Sequence, residues 1–372
     1  MTTSANFSAE IELLDQTIRE GGRPIAILMG AGCSASLSDG GSDRLVPTIA
    51  GLTSHVTASV DGDEADSLKQ LVGTFVEDGL TSSTVEDWLS RVRSMQDVAG
   101  VSAVRGLTKE SLARLEKAIT HAIADRVSRD LPVDGGGFDA LARWAARWPH
   151  DRTEPLRVFS LNYDLLVEQA FERYEVPFFD GFVGSRYPFL DQRSVEGDGL
   201  PNYWARVWKM HGSVNWEIHD GRVTRPTQTV ATGESLIHPS HLKYEQSRRM
   251  PFLLMQDQLK RFLKLPSAAL VVCGFSFGDD HVNELVFDGL RANSSAVAFA
   301  LMHDKLPTYD KAIADASRVS NIRFLAPDGY ALAGDTQPWG SGAPDPATGI
   351  EPKNVGDFAS LGKLLLRQAT SL

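Results

Sequence analysis

The sequence predicts an α/β protein: a doubly wound, Rossmann-like parallel sheet with a helical insertion. Two observations carry this reading. Unbroken apolar runs of strand length recur, among them "PIAILMG" and "AALVVCGF", and a strand that is apolar throughout is one buried on both faces, as parallel strands under helices are. Stretches with helical apolar spacing lie between them, and strands alternating with helices build a parallel sheet. The length of 372 residues suits one large domain with an insertion.

The elements follow in order. "IELLDQTIREGG" spaces its apolar residues as an amphipathic helix does and ends on glycine. "PIAILMG" is a buried strand, and "GAGCSASLSDGGSD" is the loop after it. From 51 to 150 the texture turns helical, in "EADSLKQLVGTFVEDGL", "STVEDWLSRVRSMQDV", "TKESLARLEKAITHAIADRVSRDL" and "DGGGFDALARWAARW". Acids come early and bases late in these stretches, as the helix dipole favours, and they make an insertion of about four helices. Trp88, Trp144 and Trp148 stand in it, as anchors for a partner or as packing between helices.

Strand signals return with "LRVFSL", then helix "DLLVEQAFERY" and the short strand "VPFFDGF". A loop-rich stretch, 184–205, leads to the strand "ARVWKMHG". "VNWEIHDGRVTR" carries the D-G pair of a hairpin. "SRRMPFLLMQDQLKRFLKL" is helical, "AALVVCGF" a strand and "DDHVNELVFDGLRA" a helix with an acidic start. "SAVAFALM", "LPTYDKAIADAS" and "NIRFLAP" continue the alternation. The expected organisation is therefore a discontinuous sheet domain of 1–50 and 151–330, the insertion 51–150, and a Gly- and Pro-containing tail, 331–372, with the short helix "FASLGKLLLRQA".

Charge and cysteine content narrow the function. Lys plus Arg number 37 against 48 Asp plus Glu, a net charge of −11, which repels polyanions and argues against direct nucleic-acid binding. Only Cys33 and Cys273 are present, too few for a four-cysteine zinc centre or a disulfide framework. The N-terminal stretch has acids among its apolar positions and no signal-type core, and no apolar run spans a bilayer. A soluble cytoplasmic protein without a structural metal is expected.

Four constellations carry chemistry. "MGAGCSA" puts Gly30, Gly32 and Ala35 at G-x-G-x-x-A spacing between a strand and a helix. That pattern reads as a pyrophosphate loop or as a plain glycine turn. No acidic residue closes a second strand about twenty residues on, which disfavours an ordinary dehydrogenase. In "LNYDLL", Asn162 and Asp164 fall where a strand ends and a helix begins. N-capping accounts for Asp164 but not for Asn162. In "KMHGSV", His211 ends a strand beside Gly212, and imidazole suits general-base work, although a single histidine is more often structural. In "VVCGFSFGDDH", Gly274, Phe275 and Ser276 follow a buried strand. Asp279 and Asp280 there suit the start of a helix.

Taken in order, these four motifs resemble the NAD-binding core of the sirtuin family over about 20–45 and 155–330. The resemblance implies that Gly30, Ala31, Gly32, Cys33 and Ser34 hold the dinucleotide phosphates. It places Asn162 and Asp164 around the nicotinamide ribose and carboxamide, makes His211 the catalytic base beside Gly212, and puts Gly274, Phe275 and Ser276 on the adenosine side. The sequence departs from protein-deacylating sirtuins in three ways. Residues 213–272 contain no cysteine where those enzymes carry a zinc ribbon. "SDGGSDRLVP" replaces the G-I-P-D-F-R segment, and about a hundred helical residues part the first loop from Asn162.

This pattern is similar to the bacterial sirtuin-like proteins of anti-phage defence, as is "HPSHLKYEQSRRMP" ahead of "GFSFGDDHV". That likeness implies hydrolysis of NAD+ to nicotinamide and ADP-ribose, with NAD as substrate and no metal, since nicotinamide is already a good leaving group. It further implies a homo-oligomer and a partner such as a HerA-type ATPase or an Argonaute. The alternatives are an NAD-dependent deacylase or ADP-ribosyltransferase, and a non-catalytic NAD or ADP-ribose sensor that controls assembly.

Overall fold

Side chains alternate across β1 (Ile25–Met29), and all five of its residues are buried. Ile25, Ile27 and Met29 join one hydrophobic cluster, whereas Ala26 and Leu28 join a second, so the two clusters occupy opposite faces of one sheet. The computed structural model of the protein describes residues 5–38, 40, 43–100, 102–219, 222–225, 234–237 and 251–370.

Ahead of β1 runs α1 (Phe7–Arg19), started by Asn6, whose side chain accepts from the Ala9 amide. The short α2 (Ala31–Ala35) follows β1. Then come α3 (Ile49–Ser59), α4 (Gly62–Glu77), α5 (Val85–Val98), α6 (Lys109–Val127) and α7 (Gly137–Ala145). This stretch thus holds five helices, one more than the sequence reading expects. Thr84 and Asp87 form a reciprocal capping box at the start of α5. Trp88, Trp144 and Trp148 are all buried, the last two edge-to-face at 5.3 Å, so these indoles pack the helices together and do not stand out as anchors.

The rest of the chain alternates: β2 (Arg157–Ser160), α8 (Leu166–Arg173), β3 (Phe178–Phe179), β4 (Phe182–Val183), β5 (Phe189–Leu190), α9 (Gln192–Glu196) and β6 (Ala205–Lys209). After these come β7 (Gly212–His219), β8 (Arg222–Thr224), β9 (Glu234–Ile237), α10 (Phe252–Leu263), β10 (Ala269–Cys273), α11 (Asp280–Ala292) and β11 (Val297–Leu301). The chain ends with α12 (Asp310–Asp315), β12 (Ile322–Ala326), β13 (Gly329–Leu332), β14 (Asp335–Pro338) and α13 (Phe358–Thr370). No described helix is long and apolar enough to cross a membrane.

The main sheet has nine strands in the order β14-β13-β12-β11-β10-β1-β2-β6-β3, parallel from β12 to β3. Helices α1, α3–α8 and α13 supply the first hydrophobic cluster, and α10–α12 the second. The architecture is a doubly wound, Rossmann-like α/β fold. Winding reverses between β1 and β10, and the carboxyl ends of strands at such a reversal are where ligands bind in open α/β sheets.

Three local differences from the sequence reading have physical causes. "VPFFDGF" is two strands in two sheets: Gly181, at φ +100°, turns the chain, so β3 pairs with β6 while β4 joins the antiparallel sheet β4-β5-β8-β7-β9. The hairpin of β7 and β8 is present, with the Asp220–Gly221 turn itself outside the described residues, as is 238–250 of "HPSHLKYEQSRRMP". Finally, the stretch from 331 extends the sheet through β13 and β14 and packs α13 on α7, with Phe138 and Phe358 edge-to-face at 5.0 Å.

Candidate active site

Two loops meet at the winding reversal, one after β1 and one after β10. The Gly30 amide donates to the Cys273 carbonyl at 2.9 Å and the Gly32 amide to the Gly274 carbonyl at 2.8 Å. A Cβ on Gly30 would lie 2.3 Å from the Gly274 oxygen, and one on Gly32 2.8 Å from the Gly274 Cα. Gly274 has φ +67°, and its own Cβ would fall 2.4 Å from the Cys33 nitrogen. Glycine is therefore required here for one loop to lie on the other. The Gly30 and Gly32 amides are thus both bonded inside the protein.

Above this contact Ala31, Gly32 and Ser276 are exposed, while Cys33 and Phe275 point inward. The Cys33 thiol donates to the Cys273 carbonyl at 3.2 Å, and burial pushes its pKa well up. It is an inert, enclosed thiol. Phe275 lies against Phe277, ring centroids 4.8 Å apart. Phe277 itself takes φ +56°, and Asn283 steadies it by donating from Nδ2 to the Phe277 carbonyl at 2.8 Å.

Beneath the exposed rim lies a polar floor. Asn162 Nδ2 donates to the Gly30 carbonyl at 3.1 Å and to Ser34 Oγ at 2.8 Å. The Ser34 hydroxyl in turn donates to Asp164 Oδ2 at 2.6 Å, and Asp164 Oδ1 accepts from the Leu166 amide at 3.1 Å. All three side chains are buried. Asp164 thus starts α8 and fixes Ser34 with its two oxygens. Asn162 keeps its carbonyl oxygen without a partner among the described residues.

His211 follows β6, the strand beside β2. Its turn is tied to the Asn162 segment, because the Tyr163 carbonyl accepts from the Val214 amide at 3.0 Å and from Ser213 Oγ at 3.3 Å. Gly212 takes φ +89° in that turn. His211 Nε2 lies 3.3 Å from Asp279 Oδ2, while Asp279 Oδ1 caps α11 by accepting from the His281 and Val282 amides. Asp279 is thus a cap, as its position suggests, and also a neighbour of the histidine, which spacing alone does not reveal.

Other residues here escape sequence reasoning. Lys209 is 1% exposed, donates from Nζ to the Asp164 carbonyl and lies 3.6 Å from Glu168 Oε1. Burial raises the Glu168 pKa, against the pull of Lys209. The signal was a lone lysine in the apolar strand "ARVWKM", since a lysine buried in a sheet must find a partner. Tyr163, whose pKa burial drives well up, donates to Glu86 Oε1 of α5 at 3.4 Å. The helical stretch therefore touches the site directly. Among the described residues, no group of three His, Cys, Asp or Glu is placed to hold a metal ion.

Asn162, Asp164 and Ser34 are thus brought together at the ends of β1 and β2, with His211 one strand further on, and Gly274–Ser276 facing them from β10. Residues 156–325 match the SIR2-like domain family model. The match supports a sirtuin-like family and, with it, NAD-dependent activity in general. It runs from β2 into β12, taking in Asn162, Asp164, His211, Gly212 and 274–276, and begins after residues 30–34. No curated protein matches the chain.

Proposed function

We propose that the chain hydrolyses NAD+ to nicotinamide and ADP-ribose. The observation that carries this reading is the pairing of a buried amide, Asn162, with a histidine at the ends of adjacent strands beside the winding reversal. In the reaction the C1′–N bond of the nicotinamide ribose breaks and its electron pair leaves with nicotinamide. Positive charge builds at C1′ as in other glycoside cleavages, water oxygen bonds to C1′, and the water gives up a proton.

The side chains divide this work. Asn162 Oδ1 accepts a hydrogen bond from the attacking water or a ribose hydroxyl and so holds it in line. His211 takes the proton as general base. Asp164 keeps Ser34 and the 162–166 turn in place under the nicotinamide ribose. Ala31, Gly32 and Ser276 form the face open to the dinucleotide, with Gly30, Cys33, Gly212, Gly274 and Phe275 shaping the backbone behind it.

Hydrolysis is preferred to deacylation because residues 213–272 lack the cysteines of a zinc ribbon. A sensor without chemistry does not need a buried amide and a histidine together at the strand ends. The wider setting we infer is a cytoplasmic oligomer serving as the effector of an anti-phage system. A partner such as a HerA-type ATPase or an Argonaute would release its activity and supply any nucleic-acid sensing. Its support is the similarity in motif order and departures, and the Tyr163–Glu86 contact offers the 51–150 insertion a route to the site. Incubation of the purified chain with NAD+, with and without an acylated peptide and with and without the genomic neighbour, tests this. Nicotinamide release that needs no peptide and rises with the neighbour is expected. Release that depends on the peptide would replace hydrolysis with deacylation.

A further inference from the structure

The structure assigns a positioning role to Lys209: its ammonium, balanced in charge by Glu168, fixes the turn that carries Asn162 and Asp164 against the strand that leads to His211. The kinetic consequence rests on the NAD-hydrolysis reading; the structural consequence does not.

Packing alone gives no reason for a lysine here. Ala205 and Val207 of β6 belong to the first hydrophobic cluster and Trp208 to the second, so alternation puts Lys209 on the face of Ala205 and Val207. Leu166, Val167 and Ala170 of α8 belong to that same cluster. Lys209 therefore runs between the sheet and the start of α8, where it is 1% exposed. Two effects oppose an ammonium in this place. Burial strips it of water, and the N-terminal end of a helix carries partial positive charge. Glu168, in the first turn of α8, offsets both, with Oε1 3.6 Å from Nζ. Apolar residues of similar volume are often as good for stability as a buried ion pair, or better.

What the ammonium adds is a bond to the site. Carbonyls of the 160–164 segment accept from groups of the 209–214 segment at successive points. The Ser160 carbonyl accepts from the Met210 amide at 2.8 Å, and the Tyr163 carbonyl from the Val214 amide at 3.0 Å and from Ser213 Oγ at 3.3 Å. The Asp164 carbonyl accepts from Lys209 Nζ. Of these donors Lys209 is the charged one, and it reaches the end of the turn where α8 begins. It stands two residues before His211, and its acceptor stands two residues after Asn162. One side chain thus spans the two strand ends whose separation sets the distance from amide to imidazole. The Asp164 carboxylate is left to Ser34 and the Leu166 amide.

Two variants separate positioning from stability. Lys209→Met keeps the length of the side chain but strands Glu168, and it is expected to melt well below wild type. Lys209→Met/Glu168→Gln removes both charges and is expected to melt near wild type. The first readout is amide hydrogen exchange in the ligand-free double variant. The Leu166 and Val214 amides should exchange about 10–100-fold faster than in wild type, as for loss of a hydrogen bond to a charged group, while amides of β11, four strands away in the sheet, stay unchanged. The second readout is NAD+ cleavage, for which kcat of the double variant falls about 10–100-fold while KM stays within about threefold. Wild-type exchange at Leu166 and Val214 in the double variant would overturn the assignment, as would full kcat in an active enzyme. A double variant as unstable as Lys209→Met, or unfolded, would also overturn it, by making Lys209 a support of the whole fold. Faster exchange at the two amides in a chain whose wild type cleaves no NAD+ supports the assignment and counts instead against the hydrolase reading.

Discussion

The side-chain amide of Asn162 donates to the Ser34 hydroxyl at 2.8 Å, joining α2, which follows β1, to the loop after β2 across 128 residues of sequence. Ser34 passes the bond on to Asp164 at 2.6 Å, so one hydroxyl fixes both polar residues of "LNYD". Asn162→Ala is therefore expected to do two things. NAD+ cleavage falls to background, and stability drops by about 1–2 kcal/mol through two lost buried hydrogen bonds. Turnover in parallel with thermal or denaturant melts checks both. A variant with near-wild-type turnover would remove Asn162 from the site.

Gly30→Ala tests the contact between the two loops. Its new methyl would lie 2.3 Å from a backbone oxygen, which no side-chain rotation relieves, and overpacking of this kind costs about 1–3 kcal/mol. Gly21→Ala, with nothing within 4 Å, is the control. The expected result is a lower melting temperature for Gly30→Ala only. Equal stability of the two variants would show that the glycine is there for a ligand and not for the neighbouring loop.

The main strands were legible because each is an apolar run, and Asn162, Asp164 and His211 stood out as polar residues at strand ends. What stayed hidden depends on partners far along the chain. Nothing near "GAG" in the sequence says that Gly274 lies against it. Lys209 reads as one charge in a strand until Glu168 and the Asp164 carbonyl close over it. "GYAL" and "DTQP" are too short and too rich in turn residues to announce β13 and β14, and nothing local says that Gly181 parts two sheets.

Glu168 predicts a pH dependence of known sign. Burial raises its folded-state pKa above the ordinary 4.5, so the folded state binds the proton more tightly than the unfolded chain. Its contribution is fully present below about 4.5 and is lost as pH rises through the raised value. Melts of wild type and Glu168→Gln across this range should show the wild type losing ground to the variant as pH rises, then a plateau. A difference that moves the other way would contradict the burial argument.

Chelation bears on the missing zinc ribbon. With two cysteines, both buried and 240 positions apart, the chain has no thiolate set for a structural zinc. A strong chelator is expected to leave both the melting temperature and NAD+ cleavage unchanged. Stoichiometric zinc by elemental analysis, lost together with the fold on chelation, would be the opposite result.

The central claim is that Asn162 and His211 together cleave NAD+ with water. Its most direct measurement is mass-spectrometric product analysis of NAD+ incubated with the wild-type chain, Asn162→Ala and His211→Ala, each with the genomic neighbour present and no peptide acceptor. Equal amounts of nicotinamide and ADP-ribose from wild type, and neither from the two folded variants, are predicted. Intact NAD+ with wild type, or ADP-ribose still formed by both variants, would contradict the account.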